Sequence, residues 1–387
     1  MNPPAPWSLA PELPWQHFSS PISQWQSLPS FVIGEYLFMA CALAALWHAW
    51  RQGRRYLLVW VAALIAGTAN DLIFMALPMV DNFWQAQATV MITPRLPLYI
   101  PCVYVCFMYF PTVSVWRLGL PPLARAALTG LIAILFYAPY DIVGAKFLWW
   151  TWHESDPRIA GRLLGAPLGS TIWVITFVAS FAYLLNRVID RDPGARAVTF
   201  LKGVGLVAAL SSVVMVLQMT VLQLLDGGVP GVRGLVAVVA IYAFFTYRGA
   251  RRRPRPPGPL AKDRLLLASV AVYFTTLIAC MALFEPKTHV ATGIHQTYGP
   301  CNVKVKDFAG LERNQYACAD APGEQLTFEC GAARPVDGSA WYTVCGVAHD
   351  AFTTMMTAIA LLGALGIAAF WYLLKARGHG ETAPQSG

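Results

Sequence analysis

Three carboxylates stand inside long apolar runs of the sequence: Glu35, Asp71 and Asp141. An ionisable side chain in hydrocarbon is costly and by default marks a function. Each lies toward the same end of its run, which at 1.5 Å per helical residue puts all three within roughly 12 Å of one surface. A carboxylic acid so placed suits general acid work on a double bond or leaving group, with a neighbouring carboxylate as base. Asp71 and Asp141 are the expected acids and Glu35 the expected base. Asn70, Gln218 and Gln223 are their neutral companions in the same half of the runs.

Beyond Asp141 comes the densest polar and aromatic stretch of the chain, from Tyr137 and Tyr140 through Lys146 to Arg158 and Arg162. Tyr140, Trp149, Trp150 and Trp152 in this stretch present ring faces that stabilise a developing cation. With Asn70 and Gln218, and with Lys146, His153, Asp156 and His295, they form the expected substrate-binding set. The structural alternative is an aromatic belt with a polar connecting loop. His289 and His295 are six residues apart in a non-helical stretch, a poor metal pair, so neither metal nor cofactor is expected. His48 closes the first run and is read as a helix-end cap.

Trp150-Thr-Trp152, followed by Gly165-Ala-Pro167-Leu-Gly-Ser-Thr-Ile-Trp173, resembles membrane carotenoid hydratases, in which W-x-W precedes G-I-P and a tryptophan. The likeness covers about 25 of 387 residues, with a longer spacer containing Asp156 and Arg158, and Ala166 in place of isoleucine. It implies an isoprenoid substrate. The chain as a whole resembles an uncharacterised multi-pass membrane family.

The elements that position these residues follow from composition. The chain is 57% hydrophobic and only 12% charged, against about 25% charge in a soluble domain. Disorder and a soluble multidomain enzyme are both excluded. Nine runs reach the ~20 apolar residues that a bilayer requires, at roughly 31–50, 56–79, 97–116, 125–143, 169–188, 201–225, 229–247, 265–284 and 351–374. Pro97, Pro101 and Pro111 interrupt the third. Asp226 to Gly231 reads as a tight hairpin between the sixth and seventh.

The net charge of +8 reports topology, not a nucleic-acid partner. One set of run ends holds 18 basic residues and four acids, a net of +14, so those ends are expected to be cytoplasmic. The N-terminus is then outside and the C-terminus inside. The proline-broken loop Arg248 to Arg264 is a candidate contact for anionic lipids.

Four of the eight cysteines, Cys301, Cys318, Cys330 and Cys345, fall in the one long polar segment, 285–350. An even cysteine count on the oxidising side predicts two disulfides of undetermined pairing. Alternation at 325–330 and 340–345 predicts short strands there. The expected organisation is an all-α polytopic membrane protein. It has an outer Pro/Trp-rich strap (1–30), an eight-helix bundle (31–284) and a disulfide-stapled extracytoplasmic cap (285–350). A ninth helix (351–374) and a cytoplasmic tail (375–387) follow. A bacterial inner membrane with a periplasmic cap suits the Ala, Arg and Trp usage.

No Walker loop, GxGxxG after a strand, HExxH, GxSxG or CxxCH occurs, which removes the usual signals of nucleotide, zinc-protease, serine-hydrolase and haem chemistry. Three readings stay open. The first is acid catalysis on a hydrophobic lipid or isoprenoid. The second is a proton- or cation-coupled carrier or receptor gated by the cap. The third is a structural partner whose acids pair with Arg95 and Lys146. Oligomeric state is not set by the sequence.

Overall fold

The computed structural model describes residues 14–77, 81–191, 197–252, 260–307, 310–318, 326–329, 333–348 and 351–375. Residues 1–13 of the strap, 253–259 of the basic loop, Cys330 and the tail beyond Lys375 lie outside them. Among the described residues nine helices are long and apolar enough to cross a membrane, and they coincide with the nine runs. A helix is the natural state of such a run, because it satisfies its own backbone groups where water cannot.

A short α1 (Pro21–Ser27) leads into α2 (Pro29–Gln52), and Gly53 at φ +98° turns the chain into α3 (Arg54–Ala76). The loop that follows carries β1 (Phe83–Gln85) and delivers α4 (Tyr99–Trp116). After α5 (Pro122–Lys146) come β2 (Trp150–Trp152), the single turn α6 (Pro157–Ala160), β3 (Arg162–Leu163) and β4 (Ala166–Pro167). Next are α7 (Leu168–Arg191), α8 (Ala197–Gln223), α9 (Val232–Arg251) and α10 (Arg264–Leu283). Five short strands, β5 (Val290–Ile294), β6 (Lys304–Lys306), β7 (Glu312–Asn314), β8 (Leu326–Thr327) and β9 (Trp341–Gly346), precede the last helix, α11 (Phe352–Leu374).

The proline-interrupted third run is the most buried of the nine. Pro101 occupies the first turn of α4, where no N–H is needed. Pro111 lies inside the helix, and one residue on the Thr112 hydroxyl donates to the Met108 carbonyl at 2.6 Å. Around α4 pack α2, α3 and α5; α7 lies against α5 and α8, and α10 pairs with α11. The centre is aromatic, with Phe136 stacked on Tyr273 at 4.0 Å between centroids. The hairpin after α8 forms as expected. Gly227 and Gly228 take positive φ, and the Asp226 carboxylate accepts from the Arg233 and Gly234 amides to cap α9.

The segment between α10 and α11 forms a three-stranded antiparallel sheet in the order β5-β9-β8, beside a β6-β7 hairpin. The two alternating stretches become β8 and β9. Their neighbour β5 comes from the histidine stretch, which the sequence marked only as non-helical. Cys301 is bonded to Cys318, and Cys345 is disulfide-bonded too.

At the opposite end of the bundle His48 does not cap its own helix. It is buried and hydrogen-bonds the Tyr109 hydroxyl and the Asp263 carboxylate, both at 2.7 Å. Beside it the Arg117 guanidinium donates to the carbonyls of Ala261, Leu373, Leu374 and Lys375.

Candidate functional site

The residues singled out in the sequence divide between a seam under the sheet and an interior behind it. The seam begins where α5 ends. Leu148, at φ +57°, reverses the chain, a conformation costly for a non-glycine residue. The reversal turns Trp149 back into the bundle. Its ring fills the notch left by Gly34, where a Cβ would overlap it, and Gly144 makes the same room for Trp150. The Trp149 indole N–H donates to Ser30 Oγ at 3.1 Å, and Ser30 is 2.8 Å from His289 Nε2. The other ring nitrogen of His289 reaches the Glu285 carbonyl at 3.1 Å. That arrangement makes Nδ1 the protonated nitrogen and Nε2 the acceptor.

The strand β2 then pairs with β1, setting Trp152 opposite Phe83 and Trp150 opposite Gln85. The Thr151 hydroxyl bonds His295 Nδ1 at 3.1 Å. His153 accepts from the Gln296 amide at 3.0 Å. Asp156 accepts from Arg313 at 2.8 Å and caps α6 through the Arg158 amide. Burial pushes His289, His295 and His153 down to about 4, with the Arg313 charge adding to the effect at His153. All three are neutral at pH 7. Lys146 donates to the Ala348 carbonyl at 3.4 Å.

Glu35 belongs with this seam. It is fully buried, and its carboxylate accepts from the Thr89 hydroxyl at 2.5 Å, the Thr89 amide at 3.1 Å and the Val90 amide at 3.3 Å. Those bonds pin the α3–α4 loop to α2. The carboxylate is engaged as an anchor and does not face the other two acids.

Asp71 and Asp141 are different. Asp71 accepts from the Tyr104 hydroxyl at 3.0 Å through one oxygen, and its other oxygen is buried with no partner. Asp141 engages the Ser170 side chain and likewise keeps Oδ1 buried and unpartnered. Asn70 donates to Ser212 on α8 at 2.9 Å, leaving its carbonyl oxygen alone.

Four tyrosines connect this set. Tyr137, near enough to feel both acids electrostatically, also meets Ser170. Tyr140 lies 5.3 Å from Tyr137, ring to ring, and 4.9 Å from Trp150. Tyr99 donates to Gln85 at 2.7 Å, and Tyr104 serves Asp71. Trp173 on α7 closes the group. Its ring stacks on Phe177 and meets Tyr104 at 6.0 Å and Tyr137 at 6.1 Å, and its N–H is buried and unpartnered.

The structure therefore brings Asp71, Asp141 and Tyr140 around Tyr137, with Trp149 and Trp150 bordering them through Tyr140, while Asn70, beside Asp71 in α3, turns to α8. Trp152, His153, Asp156, His295 and Lys146 belong to the seam. Gln218 is away from both, bonded to Ser180 and Tyr242 so that it ties α7, α8 and α9 together. Tyr99, Tyr104, Ser170 and Ser212 were not singled out beforehand. Hydroxyls at matching depth in neighbouring runs were their only signal.

Two further geometric facts bear on chemistry. Arg95 spends its guanidinium on Asp81, at 2.5 and 2.8 Å, and on the Phe83 carbonyl. Among the described residues no three His, Cys, Asp or Glu side chains converge as a metal site. A cavity of about 150 Å³ opens under the sheet, with Trp152 and His295 in its wall.

These features are those of a multi-span helical protein with a polar interior, and the family match agrees. The chain belongs to DUF7802, a domain of unknown function, whose model matches residues 15–193 and 196–375. No curated protein and no solved structure matches it. The carotenoid-hydratase likeness is not among these matches and stands on its own short stretch.

Proposed function

We propose that this protein is an integral-membrane enzyme acting by acid catalysis on a hydrophobic, lipid- or isoprenoid-like substrate at the Asp71–Asp141 interior. The observation that carries the reading is the pair of buried carboxyl groups, each with one oxygen that no group among the described residues satisfies. Native proteins rarely leave such atoms unpaired without a reason in function. In this reading one carboxylic acid delivers its proton to a double bond or leaving group, and the Trp173, Tyr137 and Tyr140 ring faces stabilise the cation formed. The cation is quenched by water or by loss of a proton from a neighbouring carbon, and the second aspartate, not Glu35, takes up the proton released. Proton exchange between the two aspartates restores the starting state, and the step is redox-neutral.

Topology belongs to the same reading. The +14 set of helix ends faces the cytoplasm, where the Arg248 to Arg264 loop meets anionic lipid. The sheet between α10 and α11 is the disulfide-stapled extracytoplasmic cap, in the periplasm of a bacterial inner membrane. A carrier is the second reading, favoured by the run of hydroxyls between the two acids, which suits proton movement.

Lipidomics of a deletion strain, complemented with wild type, Asp71→Asn or Asp141→Asn, tests the proposal. An apolar compound should accumulate on deletion. Wild type should clear it, and each variant should turn it over at least ~100-fold more slowly. An unchanged lipid profile, with solute flux in proteoliposomes abolished by Asp71→Asn, would establish the carrier instead.

A further inference from the structure

The cavity under the sheet has a chemistry separate from the carboxylate interior. It lies between β2 and the residues that follow it, on one side, and β5, β8 and β9 with their loops, on the other. Its volume of about 150 Å³ is that of a cavity that takes one benzene ring. The cavity is open on one side, so a single six-membered ring sits inside it with its outward substituents past the rim.

The wall chooses the kind of ring. Trp152, Tyr316, Phe328 and Tyr342 supply aromatic surface. Between them the wall carries Thr151, Ser155, Gln296 and Asn314, which are neutral hydroxyls and amides able both to donate and to accept. Thr151 is engaged by His295, Ser155 by the Asn314 backbone N–H, and the Gln296 side-chain nitrogen by His153 and Gln315. Among the described residues this leaves the Gln296 side-chain oxygen and the Asn314 side-chain nitrogen for a ligand, and an apolar ring would leave those two unpaired. A charged ring finds no counter-charge. Among the described residues no lysine or arginine lines the cavity, and the one carboxylate there, Glu154, is paired with Arg162 at 2.7 Å. The Trp152 indole N–H is buried without a partner and so has a donor to offer.

The wall is also held in place before any ligand arrives. Tyr342 donates to the Gln296 backbone carbonyl at 2.6 Å. The Gln296 amide is fixed on His153 and on the Gln315 carbonyl. The Cys301–Cys318 bond closes the loop that carries Asn314 and Tyr316. A rigid wall lowers the ordering cost of binding.

We infer that this cavity is a binding site for one neutral, polyhydroxylated six-membered ring, a hexopyranose, whose apolar faces rest on the aromatic side chains and whose hydroxyls meet the amides. The ring is either a free sugar or the headgroup of a monoglycosyl lipid. Asp71 and Asp141 take no part in the site.

Calorimetric titration of the full-length protein in detergent, with glucose, galactose and mannose, and with phenol as an apolar ring of similar size, tests this. A parallel titration into nanodiscs with and without a monoglycosyl diacylglycerol separates the two sources. Saturable binding of at least one free hexose, or of the glycolipid alone, is expected. Trp152→Phe and Asn314→Ala should each weaken it at least tenfold at an unchanged melting temperature, and Asp71→Asn should leave it intact. Binding of phenol but of no sugar in either format overturns the inference, as does sugar binding that both wall variants leave unchanged. Gln296→Ala serves as a third wall variant should either of the first two lower the melting temperature.

Discussion

The seam beneath the sheet and the interior behind it are both lined with buried polar side chains, yet their titratable groups are hydrogen-bonded differently. Along the seam Ser30, Glu35, Thr151, His153, His289 and His295 each meet a defined partner. In the interior Asn70, Asp71, Asp141 and Trp173 each hold an atom that nothing among the described residues satisfies. A completed network stabilises and fixes one arrangement, whereas an incomplete one is costly and persists where something else depends on it. Burial alone therefore does not mark the candidate site. Unfinished bonding at a carboxylate does, since the seam's own unpartnered atoms are the neutral indole N–H groups of Trp84, Trp150 and Trp152.

The largest effect that would test this contrast is acid destabilisation of the seam. Above pH 6.5 its three histidines are neutral in both folded and unfolded chains. As pH falls below 6.5 the unfolded chain takes up protons while the buried rings resist until about 4. Stability is thus complete above 6.5 and declines down to about 4, by up to about 3 kcal/mol for one histidine. Thermal melts in detergent between pH 7.5 and 4.5 should fall steeply in that window. A flat profile would mean that the rings are not held neutral.

Next in size is Glu35→Ala, which strands the Thr89 hydroxyl and two backbone amides and should cost about 3 kcal/mol in the same melts. A neutral outcome would move Glu35 out of the seam. Gly34→Ala puts a methyl group into the Trp149 ring and should cost about 2 kcal/mol by overpacking. The smallest expected change is Asp71→Asn, below about 1 kcal/mol, because an amide of the same shape can still accept from Tyr104. A loss larger than about 2 kcal/mol there would put Asp71 among the structural groups and dissolve the contrast.

The sequence showed one side of this contrast more clearly than the other. The nine apolar runs, the turn at Asp226 and the strands β8 and β9 were legible because each depends on local pattern. That Asp71 and Asp141 stand inside apolar helices was legible for the same reason. What local pattern cannot show is which atom meets which across the bundle. Glu35 resembles the other acids in its run, and only the fold sets Thr89, 54 positions away, against it. His289 and His295 were noticed, but their burial depends on Ser30 and Thr151, which arrive from other segments. Tyr99 and Tyr104 passed as ordinary aromatic residues of a membrane helix until α3 and α5 were seen packed around them.

The polar contacts at the far end of the bundle have a consequence for biogenesis. His48 meets Asp263 across 215 positions, and Arg117 meets Leu373 across 256. A ribosome releases the early helices with a histidine and an arginine whose partners have not yet been synthesised. Chains halted before α10 should accordingly be substrates for membrane quality control. Supplying α10 to α11 as a separate polypeptide should rescue them in the cell.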